Sequence, residues 1–167
     1  MILEKGNMWD VFGHTDVFFI TTNPITRKDG ALVMGRGIAK EAKDRFPTLP
    51  YLAAERIALH QKHQATSDAM APTGVGVIGP FDGQLVGYFM VKRHWAEPAE
   101  LAIIERSIAT MKRSLCFTDF VTGERKESTT GRYDLNFPGI GNGKLRREDV
   151  LPLLEQLPDN VHVWEYG

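Results

Sequence analysis

The chain has 167 residues, the length of one ordinary domain, and is long enough to bury about two-thirds of its unfolded surface. With 43% hydrophobic and 25% charged residues its make-up is globular, which excludes disordered, collagen-like and coiled-coil readings. Twenty basic against twenty-one acidic residues leave a net charge of −1, which disfavours a general coat for nucleic acid but leaves a single local nucleotide or nucleic-acid site open.

Ile2 and Leu3 open a short strand ahead of Gly6-Asn7. Val17 to Thr22 (VFFITT) is a compact run of β-branched residues and phenylalanine, suited to a strand covered on both faces. A glycine-punctuated stretch follows from Asp29 to Gly37. Ile38 to Phe46 then reads as a helix stopped by Pro47, and Tyr51 to Gln61 as a second helix with Leu52, Ile57 and Leu59 apolar. Val75–Ile78 and Leu85–Val91 are strands joined across Asp82-Gly83, a strong hairpin signal. Pro98 suits the first position of a long helix to about Leu115. Its Leu101, Ile104, Ile108 and Met111 recur at three- and four-residue spacing, which predicts one buried face.

Residues 117–132 are polar and rich in Thr, Gly and charge, and are expected to form a surface excursion. Leu135 and Phe137 close another strand before a second glycine cluster, Gly139-Ile140-Gly141-Asn142-Gly143. Glu148–Leu157 is amphipathic, and Val161–Trp164 makes a last strand. Six strands and four helices in the order β-β-α-α-β-β-α-β-α-β predict a three-layer α/β domain with a mixed sheet, a single unit spanning 1–167.

One cysteine, Cys116, permits no intramolecular disulfide. No apolar run approaches the roughly 18 to 20 residues of a bilayer span, and the first ten residues hold no apolar signal core. The expectation is a cytoplasmic protein with no membrane partner. His60 and His63 have no companions at metal-ligand spacing, and neither a metal nor a cofactor is expected.

The two glycine clusters share a context, each lying between an apolar strand and a helix start. In an open α/β sheet, ligands bind beyond the carboxyl ends of the strands. Glycines there let backbone N–H groups approach a phosphate, and the positive end of a helix beginning at Ile38 adds a favourable field. The pattern points to a phosphate- or diphosphate-bearing small molecule; the alternative is that both clusters are only turns and caps. Gly30 to Gly37 lacks the Gly-Lys-Ser/Thr ending of a P-loop, and Gly35-Arg36-Gly37 lacks the third glycine of a dinucleotide fingerprint.

Four segments in this order resemble one family. Val33-Met34-Gly35-Arg36-Gly37-Ile38-Ala39 resembles the "MGxGIA" loop of macrodomains, the ADP-ribose-binding modules. Phe137-Pro138-Gly139-Ile140-Gly141-Asn142-Gly143-Lys144-Leu145 is similar to their second loop, a proline followed by "GCGNGGL". Lys5-Gly6-Asn7 resembles the opening "KGD" or "GN" motif. Val91-Lys92-Arg93-His94-Trp95 resembles the "TKRHW" of the branch that holds bacterial DNA ADP-ribosyl glycohydrolases and a vertebrate terminal ADP-ribose hydrolase. The element order agrees with the three-layer macrodomain fold, with a mostly parallel sheet of about six strands, over nearly the whole chain.

The resemblance implies site residues. The backbone of Met34, Gly35, Arg36, Gly37, Ile38 and Ala39 would wrap the distal ribose and its phosphate. Gly139, Ile140, Gly141, Asn142 and Gly143 would clasp the diphosphate from the other side. Asn23 matches the asparagine beside the distal ribose, or else caps the turn before Pro24. Asn7 stands where many members carry an aspartate that accepts from the adenine amino group, or else only makes its turn. Lys92 is the implied catalytic group at the anomeric carbon, either as a nucleophile or as a stabilising cation; the alternative is a solvated Lys-Arg pair at a strand end.

Arg93 and His94 would add positive field and a proton carrier. Val91 and Ala96 depart from the usual threonine and arginine, and Gly143 stands where some members place a catalytic aspartate. Glu148 and Asp149 read as first-turn helix residues. Trp95 either stacks on a base or anchors the core, and Trp9, Phe46 and Trp164 are expected in the core. The basic set Arg36, Lys92, Arg93, Lys144, Arg146 and Arg147 is expected to gather at one rim, where nucleic acid would enter only as a substrate carrier. The implied function is binding of ADP-ribose or an ADP-ribosylated substrate with hydrolysis of the linkage. The competing readings are a binding module without turnover and an ADP-ribose 1″-phosphate phosphatase.

Overall fold

The computed structural model describes residues 1–63, 74–118, 125–127 and 131–166. In chain order the strands are β1 (Ile2–Lys5), β2 (Val17–Thr22), β3 (Val75–Phe81), β4 (Gln84–Met90), β5 (Cys116–Thr118), β6 (Arg125–Glu127), β7 (Tyr133–Asn136) and β8 (Val161–Glu165). The helices are α1 (Gly37–Arg45), α2 (Leu49–His63), α3 (Leu101–Ser114) and α4 (Arg147–Leu154), with short 3-10 turns at Met8–Val11 and Gly141–Gly143. Six strands form one sheet in the order β1-β8-β7-β2-β4-β3. Every neighbouring pair is parallel except β3 and β4. That pair is the hairpin signalled by Asp82-Gly83, whose φ angles of 48° and 78° are both positive, as a tight two-residue turn between twisted strands requires.

β2 explains the layering. Successive side chains of a strand point to opposite faces, so Phe18 and Ile20 enter one core and Val17 and Phe19 the other. The first core takes Ala39 and Ala42 of α1, Leu49, Ala53, Ala54 and Ile57 of α2, and Met8 and Trp9. The second takes Ile104, Ile108 and Met111 of α3 with Val150 and Leu154 of α4. A mixed six-stranded sheet covered on both sides is the predicted three-layer architecture. Trp9 is buried, and Phe46 and Trp164 pack against the same core.

Two expectations need correction. Pro98 does not start the long helix: the Glu100 amide donates to Val91 O at 3.0 Å, which pins the approach segment to the end of β4 and delays α3 to Leu101. Leu101 is consequently half-exposed, and Ile103 and Ser107 join Ile104, Ile108 and Met111 on the buried face. Within the expected excursion at 117–132, β5 and β6 pair antiparallel through Cys116↔Glu127 and Thr118↔Arg125, while residues 119–124 and 128–130 lie outside the described ones. Among the described residues no helix is long and apolar enough to cross a membrane.

Candidate functional site

The central strands carry the site. β7, β2 and β4 are hydrogen-bonded parallel neighbours, so their carboxyl ends finish side by side. The ends are also tied together. Val91 N donates to Thr22 O at 3.1 Å, and the Asn136 side chain accepts from Thr21 N at 3.0 Å while donating to Thr21 Oγ1 at 2.9 Å. Three segments leave from this line: Asn23 and the first glycine loop after β2, Lys92 after β4, and the second glycine loop after β7. Together they wall one cleft of about 1110 Å³. Of the expected ligand-binding residues, Asn23, Met34 to Ala39, Gly139, Ile140, Asn142 and Gly143 line it together with Lys92; Asn7 and Gly141 do not.

The amides in these loops are largely unengaged. In the first loop, hydrogen bonds to the rest of the protein stop at Val33 N, which donates to Ile25 O at 2.9 Å, and resume at Lys40 N, which donates to Arg36 O at 3.3 Å. The amides of Met34 to Ala39 donate to no carbonyl outside α1, and the first turn of a helix leaves its own amides without internal partners. In the second loop, Lys144 N donates to Gly141 O at 3.0 Å and Leu145 N to Gly139 O at 2.9 Å, closing a tight coil. The amides of Gly139, Ile140, Gly141 and Asn142 make no such bond. The loops also meet. A Cβ placed on Gly37 would lie 3.4 Å from Asn142 Nδ2, and the Gly37 φ of +59° is one that glycine adopts most easily. Two rows of free donors therefore border one narrow passage, the arrangement that holds a diphosphate.

The asparagines differ from each other. Asn23 lines the cleft, but its side chain also ties the first loop down: Oδ1 accepts from Ile25 N at 2.8 Å and Nδ2 donates to Val33 O at 3.0 Å. It is thus the turn-capping residue before Pro24 and keeps one N–H for the cleft. Asn7 caps the 3-10 turn that follows it, accepting from Trp9 N at 3.1 Å, and lies outside the cleft lining.

Lys92 is half-buried beyond the last residues of β4. Burial first, then the charges of Arg36 and Lys144, hold its ammonium below the ordinary lysine value of 10.5. The expected basic rim is smaller than six residues. Arg93 binds Glu100 at 2.8 Å, Arg146 binds Asp149 at 2.9 Å, and Arg147 binds Glu165 at 2.7 Å. Arg36, Lys92 and Lys144 form no such ion pair among the described residues, and all three line the cleft. Trp95 is 54% exposed at the rim, so it is not a core anchor. Asp149 and Glu148 sit in the first turn of α4 as expected.

The cleft also holds residues the sequence did not single out: Arg27, Lys28, Asn136 and Glu97, the last being the sole carboxylate among its described lining residues. A signal existed for Lys144, since it stands where the second-loop pattern has glycine. None existed for Asn136, whose strand-clamping role depends on a partner 115 residues away. Gly143 supplies no acid, and a Cβ there would stand 3.0 Å from Ala99 Cβ, so a side chain at this position would require Ala99 to give way by a few tenths of an ångström.

No family model matches the chain. It is 29% identical over 132 residues to the DNA ADP-ribosyl glycohydrolases of Mycobacterium bovis and Mycobacterium tuberculosis, a match covering 76% of this chain and 33% of theirs. The chain therefore spans about a third of the length of these curated relatives. In three dimensions it matches the macrodomain of Mycobacterium tuberculosis DarG with a TM-score of 0.63 and 25% identity, covering 99% of both chains. Thermosipho africanus DarTG in complex with ADP-ribose matches at TM-score 0.63 and 19% identity over 98% of this chain and 41% of that one. The macrodomain of Thermus aquaticus DarG matches at 0.59 and 23% over 99% and 97%.

Proposed function

Because the chain has the macrodomain fold, we propose that it binds ADP-ribose or a derivative in this cleft and hydrolyses an ADP-ribosyl linkage there. One observation carries the reading: two facing rows of unengaged amides, with the half-buried Lys92 in the same cleft. The amides of Gly139, Ile140 and Asn142 would hold the diphosphate, and those of Met34 to Ala39 the distal ribose with its phosphate. Lys92, leaving β4 beside Thr22 and Asn23, would face the anomeric carbon. An amine whose proton is loosened by burial and neighbouring cations can attack that carbon as the carrier departs with the bonding electrons and a proton. Water then releases ADP-ribose and restores the amine. The relatives' name, DNA ADP-ribosyl glycohydrolase, supports ADP-ribosylated DNA as the carrier. Lys28 adds positive charge to the lining for such a chain, while Arg27 is paired with Asp29 at 3.7 Å.

A binding module without turnover is the second reading, favoured by Gly143, which supplies no acid in the second loop and whose Cβ position lies 3.0 Å from Ala99 Cβ. Calorimetric titration with ADP-ribose, AMP and NAD side by side tests the site itself: tight binding of ADP-ribose alone supports it, and indifference to all three overturns it. Lys92→Ala separates the readings. Loss of turnover on an ADP-ribosylated oligonucleotide with ADP-ribose affinity kept within a few-fold supports the hydrolase. An unmodified protein that binds but never turns over supports the module. Turnover of ADP-ribose 1″-phosphate that survives Lys92→Ala would point to the phosphatase.

A further inference from the structure

We infer that Lys144 is a positioning residue for Lys92, its ammonium held at the cleft by a left-handed turn so that it and Arg36 set the charge around the catalytic amine. The inference rests on the reading of Lys92 above. Among the described residues only Asp82 and Lys144 adopt a positive φ without being glycine. Asp82 is explained by its hairpin turn. Lys144, at φ 62° and ψ 10°, is not explained by its backbone alone, because the conformation favours glycine and glycine is what the second-loop pattern carries there. The turn is over-determined by its surroundings. Lys144 N donates to Gly141 O at 3.0 Å, Leu145 N to Gly139 O at 2.9 Å, and Ala99 N to Gly143 O at 2.9 Å. A side chain larger than hydrogen is thus kept, against local preference, where it lines the cleft.

The sorting of charges supplies a second, independent observation. Around the same loops Arg93, Arg146 and Arg147 are each neutralised by a carboxylate, whereas Arg36, Lys92 and Lys144 have none among the described residues. The other charged groups near Lys92 do not alter this balance. Of the first loop's charges in the lining, Arg27 pairs with Asp29 at 3.7 Å and Lys28 adds further positive charge, and Glu97 is the sole carboxylate of the described lining. The Arg93 side chain is turned to Glu100, and His94 accepts from Ala96 N through Nδ1. When like charges share a cleft, the most buried loses its proton first. Lys92 is that group, and burial, Arg36 and Lys144 all act on it in the same direction. The arriving diphosphate would compensate Arg36 and Lys144.

The test reads Lys92 directly in the ligand-free protein, by the pH titration of its ε-carbon signal in protein labelled with 13C-lysine, assigned through Lys92→Arg. Lys144→Gly removes the charge and restores the residue that fits the turn, so its melting temperature should not fall. Lys144→Gln keeps the length and Lys144→Arg the charge. The expected result is a Lys92 titration moved upward by roughly 0.5 to 1 pH unit in the Gly and Gln variants and held in the Arg variant. A titration that stays at the parent value in both charge-free variants overturns the inference. So does one that moves as far in Lys144→Arg. Since no ligand or turnover enters the readout, failure to bind or hydrolyse ADP-ribose overturns the function proposed above without deciding this one.

Discussion

Gly37 and Gly141 form a matched pair that isolates the passage between the loops from backbone strain. Their φ angles are 59° and 65°, so replacement by alanine imposes nearly the same conformational penalty, about 1 to 2 kcal/mol. At Gly141 no protein atom lies within 4 Å of the new Cβ, and the residue is outside the cleft lining. At Gly37 the Cβ would stand 3.4 Å from Asn142 Nδ2, in the gap between the two rows of amides. Both variants should therefore melt lower by a similar amount, roughly 2 to 8 °C for a domain of this size. Only Gly37→Ala should also lose ADP-ribose affinity, by at least about tenfold, which corresponds to about 1.4 kcal/mol. Gly141→Ala should stay within about threefold of the parent. Thermal melts paired with calorimetric titration decide the matter. Equal affinity losses in both variants, or none in Gly37→Ala, would mean that no ligand passes between these loops.

Gly139→Ala should behave as a packing defect: its Cβ would press to 2.7 Å from Ile104 Cδ1 and 2.9 Å from Leu145 Cδ1 at a φ of +80°. A loss of about 2 to 4 kcal/mol, seen as a melting point roughly 4 to 16 °C lower, is expected, and an unchanged melt would refute the clash. Burial pushes the carboxyl of the fully buried Asp134 up, but hydrogen bonds from Arg132, Thr15 and Trp164 and the Arg132 charge win and keep it below the ordinary 3.8. With the folded value lower than the unfolded one, its stabilisation is complete above pH 3.8 and disappears as pH falls further. Asp134→Asn should therefore flatten the acid limb of urea-unfolding stability and cost on the order of 3 kcal/mol at neutral pH; an acid limb as steep as the parent's would contradict this. Because the Lys92 ammonium is held below 10.5, ADP-ribose affinity should weaken and turnover rise as pH climbs towards that value. Titrations and initial rates across the same buffers check both trends, and parallel falls would assign Lys92 a purely cationic role.

What the sequence revealed, and what it hid, follows from the range of each cause. Gly37, Gly139 and Gly141 were legible because their backbone conformations favour glycine, so local need leaves a local mark. Val17–Thr22 was legible because a strand buried on both faces has no polar alternation. The start of α3 was misplaced because Pro98 imitates a first helical residue, while the deciding hydrogen bond joins Glu100 to Val91 across a loop. Leu101 and Ile103 both fit a three-to-four-residue spacing, and only the position of the sheet chooses between them. β5 and β6 left no mark because three-residue strands such as Arg125-Lys126-Glu127 carry no apolar periodicity. In the site, the basic set was read as one group because its neutralising partners are distant in sequence or across a turn, as with Arg147 and Glu165, 18 residues apart. Asn23 was ambiguous for a different reason: a carboxamide that caps a loop and one that contacts a sugar are the same side chain, and here the capping bonds leave one donor over.

The position of Lys92 bears on whether the cleft turns over its ligand. A site built only to retain a diphosphate is served best by fully protonated cations at its rim, where solvent sustains their charge. Burying one of them beside two others works against retention, because desolvation and like-charge repulsion both favour the neutral amine, which attracts an anion less. Arg36 cannot lose its proton, and Lys144 reaches the cleft from a loop crest, so the burden falls on the lysine that leaves the sheet beside Thr22. The same arrangement is what a nucleophile needs: an amine that sheds its proton early, held by a strand end rather than a loop, with Arg36 and Lys144 beside it to hold the phosphates it must not itself neutralise. Gly143 supplies no acid, but this does not weaken the logic, because Arg36 and Lys144 line the cleft where they can stabilise charge on a leaving group, and the proton the carrier takes away is the one Lys92 gives up on attack.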